Sequence, residues 1–371
     1  MAFYSNRRLN HLVSSVSVFA ITIGLVASQS ATQKSLAQTA TLGNGAGAST
    51  VNALFTGLQT VAPGFTFTYS PVGSGKGLDA FFTQTPPAGT PSPITFAASD
   101  DPVAGTEKVT GGRGYVQVPV IGVGITLAYN TTGLTVPAGG IKLSRASYCG
   151  ILNGSITNWS DKSISADNGR VIAGNVPIKV VRRSDSSGST FVLTSHLNTA
   201  CKAAATPGIP SAYVWNRGAG TTVTWPTAFI GATGGGAVAK AIASTPGAIG
   251  YVDSATRLSN NLPAAVLRNK AGNYTSPTPA SITEAILGGT VVKYGTNNKL
   301  IKIENLNDPT RPNAYPISTA SYLLFYSDAN IANSFKTFIN SAFGSAGDAK
   351  ATSLGYAPLP DTIKTTSKGV F

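Results

Sequence analysis

The chain predicts an α/β protein whose sheets contain parallel strands, because short apolar runs of strand length alternate with segments of helical period along most of it. Two further observations agree. Charged residues make up only 11% of the chain and glycine is abundant, at 41 residues, which suits a well-packed secreted protein and not a disordered one. Three glycine- and hydroxyl-rich stretches fall where a strand or loop gives way to a helix, and open α/β sheets gather ligands at the carboxyl ends of their strands.

The first residues do not read as part of this fold. Arg7 and Arg8 precede an uncharged apolar run from Leu12 to Ala27, too short and too rich in serine for a membrane span but suited to a secretory signal. "SLA" (Ser35 to Ala37) places small residues where a signal peptidase reads them. Residues 1–37 are therefore expected to be a signal peptide, with cleavage around Ala31 as the alternative. "LNHLV" after the arginines fits a twin-arginine route poorly, and the absence of cysteine here excludes a lipid anchor on an N-terminal Cys.

Along the mature chain, "STVNALFTGLQTVA" puts Val51, Leu54, Phe55, Leu58 and Val61 on one helical face, with Ser49 or Thr50 where an N-cap would stand. "FTFTYS" reads as a strand and "GSGKGLDAFFTQ" as glycines leading into a short helix. The Pro-rich "TPPAGTPSP" reads as a loop. "ITFAASDD" is a buried strand with a polar end, and "VQVPVIGVGITLAYN" a long apolar strand from the middle of a sheet. "RASYCGILNGSITNWS" is helical and then turns. "VPIKVVRRSDSSGSTFVLTSHLNTAC" reads as strand, polar loop and helix, and "GGGAVAKAIASTPGAIGYVD" as helix and strand. "AYPISTASYLLFYS" is a strand, and the amphipathic "NIANSFKTFINSAF" follows it.

The formal net charge of +13 drops by three on losing Arg7, Arg8 and Lys34, and the remaining excess favours anionic partners. Nucleic acid is not indicated, since the basic residues are scattered and no aromatic-interleaved basic motif occurs. The two cysteines, Cys149 and Cys201, are expected to pair, as befits an exported chain. Only His196 remains as a mature histidine, which argues against a Cys/His zinc site and leaves a Ser-His-Asp triad without support.

"GASTVN", "VGSGKGL" and "SDSSGSTF" each sit at a helix N-terminus, where free N–H groups and the positive end of the helix dipole can meet an anion. "GSGKG" is not a nucleotide P-loop, because Ser70 and Gly77 occupy places that demand Gly and Ser or Thr. No Gly-x-Ser-x-Gly elbow occurs. "VVRRSDSSGST" (Val180 to Thr190) combines an arginine fork with hydroxyls and a glycine, a set suited to a tetrahedral oxyanion, although Asp-Ser-Ser-Gly-Ser is equally ordinary turn chemistry.

These segments resemble those of the periplasmic phosphate-binding proteins of ABC phosphate importers. "GAGAST", "VGSGKG", "FAASDDP", "VVRRSDSSGST", "CGILNGSITNWSD", "TPGAIGYVD" and "YPISTASYLLFY" are similar to family segments in the same order, from about Gly45 to Pro360. The resemblance implies a two-lobed periplasmic binding protein of type II-like architecture, with two hinge crossings and a ligand cleft between the lobes. The expected lobes are 38–125 plus 317–371, and 126–316. It implies phosphate binding by Ser49 and Thr50 at the first helix, Ser74 in the second loop, Asp100, and Arg183, Ser187, Gly188 and Ser189, with Asp185 tethering Arg183. Thr50 stands where the family usually has Phe, but the family uses that position's main-chain N–H. Gly75 and Lys76 replace small residues of the second loop, and Lys76 is expected to face solvent.

The residue chemistry is coherent in itself. A buried dianion needs donors on most of its lone pairs. Asp100, an acceptor, suits monohydrogen phosphate, whose P–OH can donate, and repels sulfate, which has no proton at neutral pH. The implied protein is a periplasmic monomer without cofactor or metal and without enzymatic activity. It would deliver phosphate to a membrane permease. A secreted phosphatase-like enzyme and a surface phosphate sensor or adhesin are the alternatives.

Overall fold

A computed structural model describes residues 40–371; the expected signal peptide lies outside them. Strand β1 (Ala40–Gly47) passes through a 3-10 turn (Ser49–Val51) into helix α1 (Asn52–Val61), and β2 (Phe65–Ser70) leads to α2 (Ser74–Thr83). Then come β3 (Ile94–Ser99) and the 15-residue β4 (Tyr115–Tyr129). The middle of the chain holds β5 (Lys142–Leu143), α3 (Arg145–Asn153), α4 (Lys162–Asn168), β6 (Lys179–Arg183) and α5 (Gly188–Ala200). It continues with β7 (Ile230–Ala232), α6 (Gly235–Ser244), β8 (Ala248–Asp253), α7 (Ser254–Ser259), β9 (Val266–Arg268), β10 (Tyr274–Thr275) and α8 (Pro279–Leu287). A hairpin of β11 (Thr290–Tyr294) and β12 (Leu300–Glu304) precedes β13 (Ser318–Tyr326), and α9 (Ala329–Ala342), α10 (Ser345–Ser353) and α11 (Asp361–Lys368) follow.

The elements expected from periodicity all occur. Two departures stand out. β1 was not anticipated as a strand, because "ATLGNGAG" has few of the β-branched and aromatic residues that mark one. The β11–β12 hairpin was not anticipated either.

The main sheet runs β2-β1-β3-β13-β4-β8-β6-β7, with β12 joining β4 at Leu300 and Gln117. Its flanks are parallel: β1 with β2 and β3, and β6 with β8 and β7. Its centre is antiparallel. The first part of β4, from Tyr115 to Gly124, pairs with β13, and the rest, from Ile125 to Tyr129, pairs with β8. One continuous strand thus carries the chain from one flank to the other, and the segment before Ser318 brings it back. Pro119, which has no N–H, is accommodated in this central strand by a register shift between Ser321 and Tyr322 of β13.

The β1 flank buries an aromatic cluster in which Phe55, Phe67, Tyr69 and Phe96 meet edge-on or stacked, closed from the outside by Phe335 and Phe338 of α9. In the β6 flank, Trp215, Trp225 and Tyr251 pack in series. Cys149 in α3 and Cys201 at the end of α5 form the expected disulfide, with Cα atoms 5.7 Å apart.

Candidate functional site

The three junctions read from the sequence are helix starts in the structure, at Ser49, Ser74 and Gly188. Their backbones are brought together by close packing. A Cβ on Gly77 of α2 would lie 2.2 Å from Gly47 Cα of β1, so glycine at 77 lets α2 lie directly on the end of β1. Across the cleft, a Cβ on Gly188 would lie 2.4 Å from Ser74 Oγ and 2.7 Å from Asp100 Cβ. The start of α5 therefore rests on residues of the other flank.

Neither Ser49 nor Thr50 serves as the N-cap expected of it. The caps of the 3-10 turn and of α1 are Ala48 and Val51, and neither makes a side-chain capping bond. Both hydroxyls face charged partners that bind them more strongly than a backbone N–H. Ser49 Oγ accepts from Arg183 Nη1 at 3.1 Å, and Thr50 Oγ1 donates to Asp100 Oδ1 at 2.7 Å.

Arg183 ends β6 and is buried, with 2% of its side chain exposed. Nε and Nη2 form a fork on Asp185 Oδ1 and Oδ2 at 2.7 and 2.5 Å, so Asp185 tethers the arginine as expected. Asp185 also accepts from the Gly234 N–H at 3.1 Å. Burial pushes its carboxyl up, but the Arg183 bonds and charge outweigh this and hold it below the usual carboxylate range. Tyr251 Oη accepts the Arg183 backbone N–H at 3.0 Å and shares a 2.6 Å hydrogen bond with Thr190 Oγ1, fixing strand and helix to one another.

Ser187 is the N-cap of α5; its Oγ accepts from the Thr190 N–H at 3.3 Å and its own N–H donates to Thr221. Gly188 and Ser189 occupy the first helical positions, whose N–H groups have no partner within the helix. Ser74 is fully buried at the start of α2, and its Oγ accepts a long bond, 3.4 Å, from the Asp100 N–H. Lys76 is exposed, as expected.

Asp100 is 1% exposed at the end of β3. Its Oδ1 accepts from Thr50 and also from Ser321 Oγ of β13, whereas Oδ2 is buried with no partner. Burial pushes the carboxyl above the usual carboxylate range, and the Ser321 and Thr50 hydroxyls and the Arg183 charge offset this only in part. Asp101 beside it is pushed to about 7 by burial and then by the charges of Asp100 and Glu107.

Nine anticipated residues thus converge: Ser49, Thr50, Ser74, Asp100, Arg183, Asp185, Ser187, Gly188 and Ser189. Ser321 and Tyr251 were missed. Each lay inside an apolar strand run, and the only available signal was a polar group in such a run. The cluster gathers the Arg183 guanidinium, several hydroxyls and two helix starts around Asp100, whose Oδ2 is a buried acceptor without a partner.

Two flanks of parallel strands, joined through a central crossing and meeting at opposed helix N-termini, define a two-lobed binding protein of the periplasmic type. A model of the PBP superfamily domain matches residues 28–343. The phosphate-binding protein PstS of Pasteurella multocida is 30% identical over 301 residues, covering 80% of this chain and 78% of its own. The phosphate-binding protein PstS 3 of Mycobacterium leprae is 29% identical over 331 residues, covering 87% and 83%. Among solved structures, a high affinity periplasmic phosphate-binding protein (PfluDING) bound with phosphate superposes with a TM-score of 0.66 at 26% identity, over 88% of this chain and 92% of the other. The chain belongs to the PBP superfamily and, within it, to the PstS-like phosphate-binding proteins.

Proposed function

We propose that the protein binds inorganic phosphate in the periplasm and delivers it to the membrane permease of an ABC-type importer. The observation that carries this reading is the partnerless Oδ2 of Asp100, a buried acceptor beside Ser74 and the start of α5 and within the field of the Arg183 charge. Monohydrogen phosphate supplies the one proton this oxygen lacks, and its other oxygens take the donors. Ser49, Thr50 (through its N–H), Ser74, Asp100, Arg183, Ser187, Gly188 and Ser189 are the proposed ligand contacts, and Asp185 positions Arg183.

The lobes are proposed as 38–125 plus 317–371 and 126–316. The exchange of β4 partners between Gly124 and Ile125 and the start of β13 at Ser318 support these divisions. Ligand bridging both lobes favours the closed arrangement, a hinge closure. Export by a signal peptide without a lipid anchor, a monomeric state and a binding role without turnover complete the reading. Titration calorimetry on the mature protein with phosphate, arsenate and sulfate tests it. Phosphate should bind far more tightly than sulfate, and a protein that binds neither phosphate nor arsenate refutes the proposal. Hydrolysis of a generic phosphate ester would instead favour the enzymatic alternative.

A further inference from the structure

We propose that Thr50 and Ser321 are positioning residues that set anion selectivity: together they occupy one oxygen of the Asp100 carboxylate, so that only the other is left to read a proton on the ligand. The inference rests on the phosphate reading of the cleft and deepens it.

The two hydroxyls reach Oδ1 from separate parts of the fold. Thr50 comes from the turn ahead of α1, and Ser321 from the middle of β13, 221 residues along the chain from Asp100. Both are held in place. Thr50 is 1% exposed and its carbonyl accepts from Tyr356 Oη, while Ser321 is fully buried and pairs with Ile121 at the β13–β4 register shift. A carboxylate without such anchors can turn about its last bond and present either oxygen, because that torsion is broad. Two donors on Oδ1 define the rotamer and leave Oδ2 as the single outward acceptor.

The hydroxyls also favour the ionised, accepting form of the carboxyl against a burial that raises its pKa overall. Hydrogen bonds to an ionised carboxylate favour the ionised form, and here they oppose the effect of burial. Without them only the Arg183 charge opposes burial, so the group takes up its proton at a higher pH. A protonated Asp100 is a donor, and a donor at that point suits sulfate. The groups that face Asp100 are Arg183 from β6, Asp101 beside it, Asp253 at the end of β8, Tyr69 of β2, Tyr322 of β13 and Tyr356 before α11. The tyrosines are pushed above their ordinary range by burial and stay neutral. Asp101 and Asp253, raised to about 7 and about 6, form a background common to parent and variants.

The test compares the parent, Thr50→Val, Ser321→Ala, the double variant and Thr50→Ser by calorimetric titration with phosphate and with sulfate across pH 6 to 8. In the double variant the phosphate-to-sulfate affinity ratio should fall at least about tenfold at pH 7, the scale of one charge-assisted hydrogen bond. Sulfate binding should gain on acidification from a higher pH than in the parent. Each single variant should lose part of the selectivity, and Thr50→Ser should retain it. If both anions weaken by one common factor and the pH profile does not move, the hydroxyls are merely structural and the inference is overturned. A parent that binds neither anion overturns the phosphate reading and this inference with it; a parent that binds phosphate, with a variant ratio unchanged, overturns the inference alone.

Discussion

Replacing Arg183 by alanine strikes the proposed clamp at its centre. A guanidinium has five N–H donors in a fixed plane. Three are committed: Nε and one Nη2 hydrogen to Asp185, and one Nη1 hydrogen to Ser49. One donor on each terminal nitrogen is left for the anion. The variant removes both, and it also strands Asp185, whose side chain is only 6% exposed, as an anion with the Gly234 N–H for company. Breaking a buried, hydrogen-bonded charge pair by deleting one partner costs about 3–5 kcal/mol. Phosphate Kd should therefore rise by roughly 10²–10⁴-fold. Arg183→Lys keeps the charge without the fork and should fall between the two. Lys76→Ala, on an exposed side chain, should change Kd by less than about tenfold, and only at low salt. Calorimetry at neutral pH and physiological salt is the assay. An Arg183→Ala Kd within tenfold of the parent, or equal losses in the Arg183 and Lys76 variants, would refute the placing of the guanidinium on the ligand.

Asp100→Asn gives the outward position an amide that can donate, so phosphate should still bind while the phosphate-to-sulfate ratio drops by about tenfold or more in competition titrations. Gly188→Ala would put a methyl 2.4 Å from Ser74 Oγ and 2.7 Å from Asp100 Cβ, and the cleft should fail to shut. Phosphate affinity should fall by about 100-fold or more with little change in melting temperature, as expected when closure and not folding is blocked. Reducing Cys149–Cys201, 52 residues apart, should cost about 4 kcal/mol by loop entropy, seen as a lower denaturant midpoint. An unchanged midpoint speaks against that account. His196 is buried and neutral: Nδ1 donates to the Asn307 carbonyl at 2.7 Å, so Nε2 accepts from Tyr148 Oη at 3.0 Å. Burial lowers its pKa from 6.5 to about 4, so the stability it lends is present above pH 6.5 and is lost as pH falls toward 4, by up to ~3 kcal/mol. His196→Gln should flatten the stability profile in that window relative to the parent.

The helix-start junctions of the proposed site were legible because such sites use local chemistry. A glycine that permits close approach, a hydroxyl and a helix start all lie within a few residues, as at Ser74 and at Ser187 to Ser189. The long apolar β4 and the β6–α5 unit were legible for the same reason: their period is in the local sequence. β1 was not, since its glycines are chosen by neighbours. A Cβ on Gly45 would lie 2.1 Å from the Phe96 ring, and one on Gly47 2.0 Å from the Ala98 carbonyl oxygen. Ser321 was illegible because its meaning lies in a carboxylate far along the chain. The Ser49 and Thr50 caps were misjudged because local reasoning sees the nearby N–H but not Arg183 and Asp100, which arrive from other elements.

β13 sits between β3 and β4, although it is made some 200 residues after them. During synthesis β1, β2 and β3 can assemble early, but the slot beside β3 stays vacant until the last part of the chain arrives. Long-range pairing of this kind is slow and leaves strand edges open to wrong partners in the interval. The same arrival brings Ser321 to Asp100, so the nascent chain cannot hold a finished anion receptor before its last strand is in place. A chain cut short before Ser318 would have both open edges and an unanchored carboxylate: it should aggregate, and it should not bind.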